Sequence, residues 1–260
     1  MVFDTTPSNE PPHLDRLPIK ATEMRHVRIF VDFDGTITTT DVGDGLFEAY
    51  GSIQPFNKML KANEITIYDY WKQVCNTLPG NFNQGDIERY MLGVDIDPYF
   101  KTFIESMNAS GINPIIVSDG FDNYIKPFLE CHDLGHLQFY SNSLHFSDKG
   151  HVVPIFRYAN DGCQCFSAVC KRAVQCLFSA SDSITIYIGD GYSDFCPAES
   201  SDIVFAKKSL AKWCNSHSQP HYPYKSFYEV NKVLTELLSQ GKAKQRNRAK
   251  TIRANMYKYE

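Results

Sequence analysis

Three apolar runs in this chain end in acids. "VRIFVDFDGT" brings Asp32 and Asp34 directly after Val27–Val31, "IIVSDG" ends in Ser118, Asp119 and Gly120, and "ITIYIGDGYSD" ends in Asp190 and Asp194. Residues two apart at a strand end project to one side, so Asp32 and Asp34 can share a site while Phe33 packs away. Gly35 permits a sharp turn after them. Carboxylates drawn together repel unless a hard cation sits among them, and an all-oxygen ligand set selects Mg²⁺. Any one of these acids alone would pass for a turn or N-cap residue. Their recurrence at three strand ends points to a metal and an anion held there.

The elements that must position them alternate strand and helix, which predicts an α/β fold: a Rossmann-like parallel sheet with helices on its faces. Strands are expected at Val27–Phe33, Ile112–Ser118, Ser183–Gly189 and Asp202–Ala206, all continuous apolar runs as in buried parallel sheets. Ligands of such sheets bind beyond the carboxyl ends of the strands. Before the second strand, Asp97 and Pro98 open a helix with the stripe Phe100, Phe103, Ile104 and Met107, closed by Gly111. A later helix has Ser226 and Glu229 in capping-box spacing, the stripe Phe227, Val230, Val233, Leu234 and Leu237, and Gly241 as its stop. A third, "FSAVCKRAVQCLF", carries Lys171 early, beside Phe166, Val169, Ala173 and Leu177.

Residues 42–96 interrupt the alternation with helical segments alone, which predicts a small helical cap domain inserted after the first strand. The core domain is then 25–41 and 97–241. Residues 139–158 read as a β-hairpin turning at Asp148–Gly150. Residues 1–24 read as a disordered, Pro-rich leader with Pro7, Pro11, Pro12 and Pro18. They lack the apolar stretch of a signal peptide and hold too many acids for a transit peptide, so a cytoplasmic location is expected. Residues 242–260 hold seven Lys or Arg and one Glu and read as a solvated basic tail.

At 260 residues and 43% hydrophobic content, the chain can fill one large domain plus an insertion. A net charge of −4 gives no bulk attraction to nucleic acid or anionic lipid, and the tail lacks interleaved stacking aromatics apart from Tyr257 and Tyr259. No apolar run approaches the roughly 20 residues of a spanning helix. Four of eight cysteines gather as Cys163, Cys165, Cys170 and Cys176. Their spacing matches no paired-CxxC zinc pattern, so free thiols packed as small hydrophobes are expected, with a structural metal-thiolate site as the alternative.

"DFDGTIT", "IIVSDG", a downstream Lys and "GDGYSD" resemble, in order, the four motifs of the haloacid dehalogenase (HAD) superfamily, and the helical insertion is similar to the cap of its phosphoserine phosphatase-like group. "DFDGTITTTD" with Asp41, the Cys-rich stretch before Lys171 and "PYKSFYEV" resemble the 2-hydroxy-3-keto-5-methylthiopentenyl-1-phosphate phosphatases of methionine salvage. The resemblance implies a Mg²⁺-dependent phosphatase of a small phosphorylated metabolite, working through an aspartyl-phosphate. It assigns Asp32 as nucleophile and Asp34 as general acid and base. Ser118, the N–H groups of Asp119 and Gly120 at a helix N-terminus, and Lys171 would hold phosphate. Asp32, the backbone carbonyl of Asp34, Asp190 and Asp194 would hold the metal, and Asp41 would touch the substrate unless it serves only as an N-cap. Lys207, Lys208 and Arg172 are the alternatives to Lys171. The cap aromatics Phe56, Tyr68, Tyr70 and Trp71 could line a thioether pocket or simply be core. Phosphoserine, phosphocholine, phosphoethanolamine or a vitamin phosphate remain as other substrates, since "DFCPAES" is similar to phosphocholine-type relatives.

Overall fold

In chain order the strands are β1 (Val27–Val31), β2 (Ile115–Phe121), β3 (Phe139–Phe146), β4 (Val152–Ile155), β5 (Ile184–Gly189), β6 (Ile203–Ala206) and β7 (Tyr222–Pro223). They form one sheet in the order β4-β3-β2-β1-β5-β6-β7, parallel throughout except for β4. The structure is a computed structural model and describes residues 26–256 apart from Lys149, Asp161, Gln164 and Phe166. The expected leader, Tyr257 and Tyr259 therefore lie outside the described residues, as does Phe166. Among the described residues no helix is long and apolar enough to cross a membrane.

The α/β expectation is borne out, with β1 at the centre. The chain leaves β1 for β2 on one side and later crosses to β5 on the other, so strand order reverses at β1. A crevice opens at the carboxyl ends of strands where such a reversal occurs. Two strand boundaries differ from expectation. β1 stops at Val31 because the Phe33 carbonyl turns to collect the N–H groups of Thr36, Ile37 and Thr38. β2 starts at Ile115, since Pro114 has no N–H to donate and Ile112 still bonds back to Met107. It also runs three residues further, through the "SDG" motif, with an irregular register between Val117 and Phe121.

The insertion holds α1 (Val42–Tyr50), α2 (Phe56–Lys61), α3 (Ile67–Asn76) and α4 (Gln84–Met91). The short α2, whose stripe of Phe56, Met59 and Leu60 is partly buried, with Phe56 and Leu60 packed on the core, was not anticipated. The insertion shares its core with the sheet: Trp71 packs its ring 5.3 Å from Phe47 and 5.0 Å from Phe121 of β2. Its entry and exit strands are paired. Thr38 bridges Ile96, Thr39 donates to Asp95 O at 3.0 Å and Asp97 donates to Ile37 O at 2.8 Å. The hairpin forms as expected, and it also extends the sheet through β3 and braces the insertion, with Tyr68 on Phe156 and Phe82 on Phe146.

α5 (Phe100–Ala109) and α10 (Phe227–Ser239) follow the predicted stripes, and Ser226 with Glu229 forms the capping box. Asp97 joins the two helices: one oxygen accepts from the Tyr99 N–H and the other from the Phe227 N–H. Gly111 (φ 74°) and Gly241 (φ 61°) end them in the left-handed region that favours glycine.

The basic tail is not solvated as expected. Residues Asn247–Met256 form α11, in which Ala249 and Arg253 are buried. Arg253 Nη1 donates to Thr185 Oγ1 and Ser200 O, both at 2.6 Å, and Nη2 pairs with Asp202 Oδ2 at 3.0 Å. Asp202 lies at the mouth of β6, and its carboxylate also accepts from Thr185 and from the Arg246 N–H. The partner lies 51 residues upstream of Arg253, so local composition could not reveal the pair. Removing one member of a buried, hydrogen-bonded pair leaves the other uncompensated. Arg253→Ala is expected to destabilise the fold by about 3–5 kcal/mol, read as a lowered urea midpoint. A change below about 0.5 kcal/mol, typical of surface positions, would show that α11 contributes nothing.

Candidate active site

Asp32 continues β1 by one backbone bond, its N–H donating to Ile188 O at 2.9 Å. Gly35 (φ 72°) then lets the chain fold back, which leaves Asp32 and Asp34 at the sheet edge while Phe33 is buried against Tyr124 and Phe128. Across the crevice, Lys171 is the first residue of α7 (Lys171–Phe178) and is 1% exposed. Its Nζ donates to Asp32 Oδ1 at 2.6 Å, Asp194 Oδ1 at 2.7 Å and Ser193 Oγ at 2.9 Å. Burial alone would lower the pKa of this ammonium, but Asp194 and Asp32 outweigh it and the net shift is upward. An ammonium at a helix N-terminus is disfavoured by the dipole, and two carboxylates at bonding distance offset that.

Helix α7 starts five residues later than expected, and Val174, Gln175 and Cys176 face inward while Leu177 is exposed. Two N–H groups in the segment before it, those of Ala168 and Val169, donate to Asp119 Oδ1, which ties that segment to the end of β2.

Asp190 follows β5 directly, and Asp194 ends a 3₁₀ turn, Tyr192–Asp194. Asp194 is fully buried: Oδ1 accepts from Lys171 and from the Tyr187 hydroxyl at 2.5 Å, and Oδ2 accepts the N–H groups of Asp190 and Gly191. It thereby folds the loop and anchors Lys171. Asp190 pairs through Oδ2 with Lys208 Nζ at 2.8 Å. Lys208 opens α9 (Lys208–Ser216) with φ 46°, a left-handed conformation of the kind that concentrates at functional sites.

Donor oxygens of Asp32, Asp190 and Asp194 lie within 4.8 Å of one another. Three carboxylates (Asp32, Asp190, Asp194) are paired with two ammoniums (Lys171, Lys208), a deficit of one positive charge. Burial first, then Asp194, push the Asp32 carboxyl well above its usual range despite Lys171. A hard divalent cation fits both the oxygen set and the missing charge.

Asp34 faces the opposite wall. Its Oδ2 accepts from Ser118 Oγ at 2.9 Å, its Oδ1 from the Gly43 N–H of α1 at 3.2 Å, and the Tyr124 hydroxyl reaches both oxygens at 3.0 and 3.2 Å. Burial raises its pKa more than the hydrogen bonds from Ser118 and Tyr124 lower it. Ser118 sits where β2 loses register, the kind of bulge that re-aims a side chain beside a site.

Asp119 and Gly120 lie just ahead of a helix, as expected, but within the last residues of β2. Helix α6 (Asp122–Cys131) begins after the bulge, and the Gly120 N–H is engaged by Ser118 Oγ at 2.9 Å. A Cβ at Gly120 would overlap the Tyr124 hydroxyl and crowd Asp34. The Asp119 carboxylate clamps Ala168 and Val169, with a pKa pushed up to about 6 by burial against these donors and Lys171. Asp119 thus positions the segment that launches Lys171.

Asp41 caps α1 by accepting from the Asp44 N–H at 2.9 Å. It is exposed to solvent yet crowded by protein, as a residue on a cleft wall is. Loss of solvation, then Asp34 and Asp44, push its pKa up to about 7. Tyr70 and Trp71 are core rather than pocket lining, and Phe56 and Tyr68 pack partly buried against that core. A separate cavity of about 510 Å³ lies between Gly80–Asn83 and Phe146–Gly150, and none of its lining residues belongs to the acidic site. Tyr124, Tyr187, Ser193 and Lys208 went unassigned in the sequence. Only Ser193, within "GDGYSD", and Lys208, among the alternatives to Lys171, carried a signal.

Comparison with known proteins gives a consistent result. Residues 27–227 match the family described as Putative Phosphatase. The chain is 28% identical over 215 residues to 2-hydroxy-3-keto-5-methylthiopentenyl-1-phosphate phosphatase of Bacillus cereus, and 26% identical to that of Bacillus cytotoxicus. Both alignments cover 82% of this chain and 97% of the relative. A phosphoserine phosphatase carrying a phospho-aspartyl intermediate analogue superposes with a TM-score of 0.59 at 16% identity, covering 80% of this chain and 98% of that one. A HAD-family hydrolase of Salmonella enterica serovar Typhi superposes with a TM-score of 0.63 at 17% identity, over 83% of this chain and 71% of that one. Matched over most of its length, the chain belongs to the Putative Phosphatase family, and it shares the fold of the HAD-type phosphatases.

Proposed function

We propose that this chain hydrolyses a small phosphomonoester at the Asp32–Asp34–Lys171–Asp190 site, with Mg²⁺ held by Asp32, the Asp34 carbonyl and Asp190 and braced by Asp194. The observation that carries this reading is the convergence of Lys171, Asp32 and Asp194 within hydrogen-bond distance, from three separate parts of the chain. Mg²⁺, when bound, would offset negative charge on the phosphoryl oxygens and on the carboxylates.

Lys171 engages Asp32 Oδ1, while among the described residues no hydrogen bond occupies Oδ2. Oδ2 is therefore the attacking atom. It bonds to phosphorus as the ester P–O bond breaks, and Asp34, whose proton affinity burial raises, gives a proton to the leaving oxygen. The second half runs in reverse sense. Asp34, now a carboxylate, takes a proton from water as that water attacks phosphorus, and the Asp32 acyl-phosphate bond breaks to release phosphate. Ser118 and Tyr124 orient Asp34, and Lys171 neutralises the equatorial oxygens.

Helices α1–α4 act as the cap, hinged at the paired segments around Thr38 and Ile96. The names of the Bacillus relatives favour the methylthiopentenyl enol-phosphate as substrate, with Asp41 accepting from its 2-hydroxyl group. A second reading has Asp41 binding an ammonium, as in phosphoserine, and draws on the same cleft-wall acid together with the phosphoserine phosphatase neighbours.

Asp32→Asn is expected to release no phosphate from p-nitrophenyl phosphate while keeping the fold, and chelation should abolish wild-type turnover until Mg²⁺ is restored. Retained turnover in either case would remove Asp32 or the metal from the mechanism. Asp34→Asn should lower kcat by about 10²–10⁴-fold on alkyl phosphates, whose leaving groups need a proton. Because the Asp34 pKa is raised, its acid form persists to higher pH, so the wild-type rate falls as pH rises through that pKa. This alkaline limb should vanish in Asp34→Asn, and its survival would assign the proton elsewhere. Across a panel of phosphorylated metabolites ranked by kcat/KM, the enol-phosphate should lead. If phosphoserine leads, and Asp41→Asn raises its KM selectively, the second reading is correct.

A further inference from the structure

The cysteine-rich segment does something the spacing did not suggest. Cys176 lies apart, its Sγ 3.9 Å from Met256 Sδ, and its place is taken by Cys196 of α8 (Phe195–Glu199). Sγ atoms of Cys163, Cys165 and Cys196 lie within 4.8 Å of one another, with Cys163 and Cys196 at 3.5 Å. Cys170 lies beside Cys163 and Cys165, and Arg172 Nη2 approaches Cys163 Sγ at 3.2 Å. All four cysteines are free thiols.

Packing as small hydrophobes does not account for this. Such sulfurs disperse among carbon neighbours, whereas these face one another, half-buried except for the fully buried Cys170. A disulfide would require sulfurs at about 2.05 Å. Around a tetrahedral ion with metal–sulfur bonds of about 2.3 Å, ligand sulfurs stand about 3.8 Å apart, which matches this cluster. We propose that Cys163, Cys165, Cys170 and Cys196 form a structural site for one thiophilic divalent cation, zinc by donor softness, separate from the carboxylate site. Arg172, 3.2 Å from Cys163 Sγ, would offset the excess negative charge of the thiolates.

The site has a structural purpose. Cys170 immediately precedes Lys171, and Cys196 lies two residues after Asp194. An ion bound to both segments fixes the Lys171–Asp194 pair from behind, while Asp119 fixes the same loop from the sheet side.

The test is metal content of the full chain, expressed with zinc and purified without chelator, together with the absorption of reduced apoprotein reconstituted with Co²⁺. The expected result is about one zinc per chain, with thiolate-to-cobalt charge-transfer bands and the d–d bands of a tetrahedral ion. Cys163→Ser and Cys196→Ser should lose both, whereas Cys131→Ser, at an exposed lone thiol, and Asp190→Asn, in the carboxylate site, should keep both. If the cluster variants fail to fold, the wild-type cobalt spectrum alone decides. Zinc-free wild type without thiolate bands, zinc lost in Asp190→Asn but kept in Cys163→Ser, or a disulfide among these four cysteines would each overturn the proposal.

Discussion

The buried ion cluster of Lys171 with Asp32 and Asp194 is the constraint around which the rest is arranged. None of the three side chains is more than 5% exposed, and separating any of them would leave charge stranded in a low-dielectric interior. The fold meets this demand by bringing together β1, the turn after β5 and the first residue of α7. Asp194 is the hinge of the arrangement, because its four hydrogen bonds fold the turn and hold Lys171 together. The site is thus part of what stabilises the crossover from β1 to β5.

Much of this was legible in the sequence because it depends on local rules. Apolar runs ending in "DFDGT", "SDG" and "GDGYSD" gave the strands and the edge on which the acids meet. Ser226, Glu229 and Gly241 gave the limits of α10. The alternation of elements gave a parallel sheet whose carboxyl edge carries Asp32, Asp34 and Asp190, whereas Lys171 came from the resemblance to a known family and the reversal at β1 is seen only in the fold.

What could not be read depends on long-range pairing. Arg253 is an ordinary member of a basic stretch until Asp202 is seen beside it. Cys196 looked scattered, and Cys176 clustered, because linear spacing cannot distinguish a helix's inner face from the loop across the crevice. The bulge that turns Ser118 toward Asp34 is a register mismatch between β2 and β3, so neither strand encodes it alone. Likewise nothing near Asp119 in sequence shows that its carboxylate is claimed by Ala168 and Val169, 49 and 50 residues away.

One bond joins the inserted helices to the proton chemistry. The Gly43 N–H, in the first turn of α1, donates to Asp34 and lowers the proton affinity of its carboxyl. Outward displacement of α1 would withdraw that donor but also admit water to Asp34, and the loss of burial, the larger effect, would let Asp34 give up its proton more readily with the cleft open and hold it once α1 returns. Closure would then load the acid as it shuts out solvent.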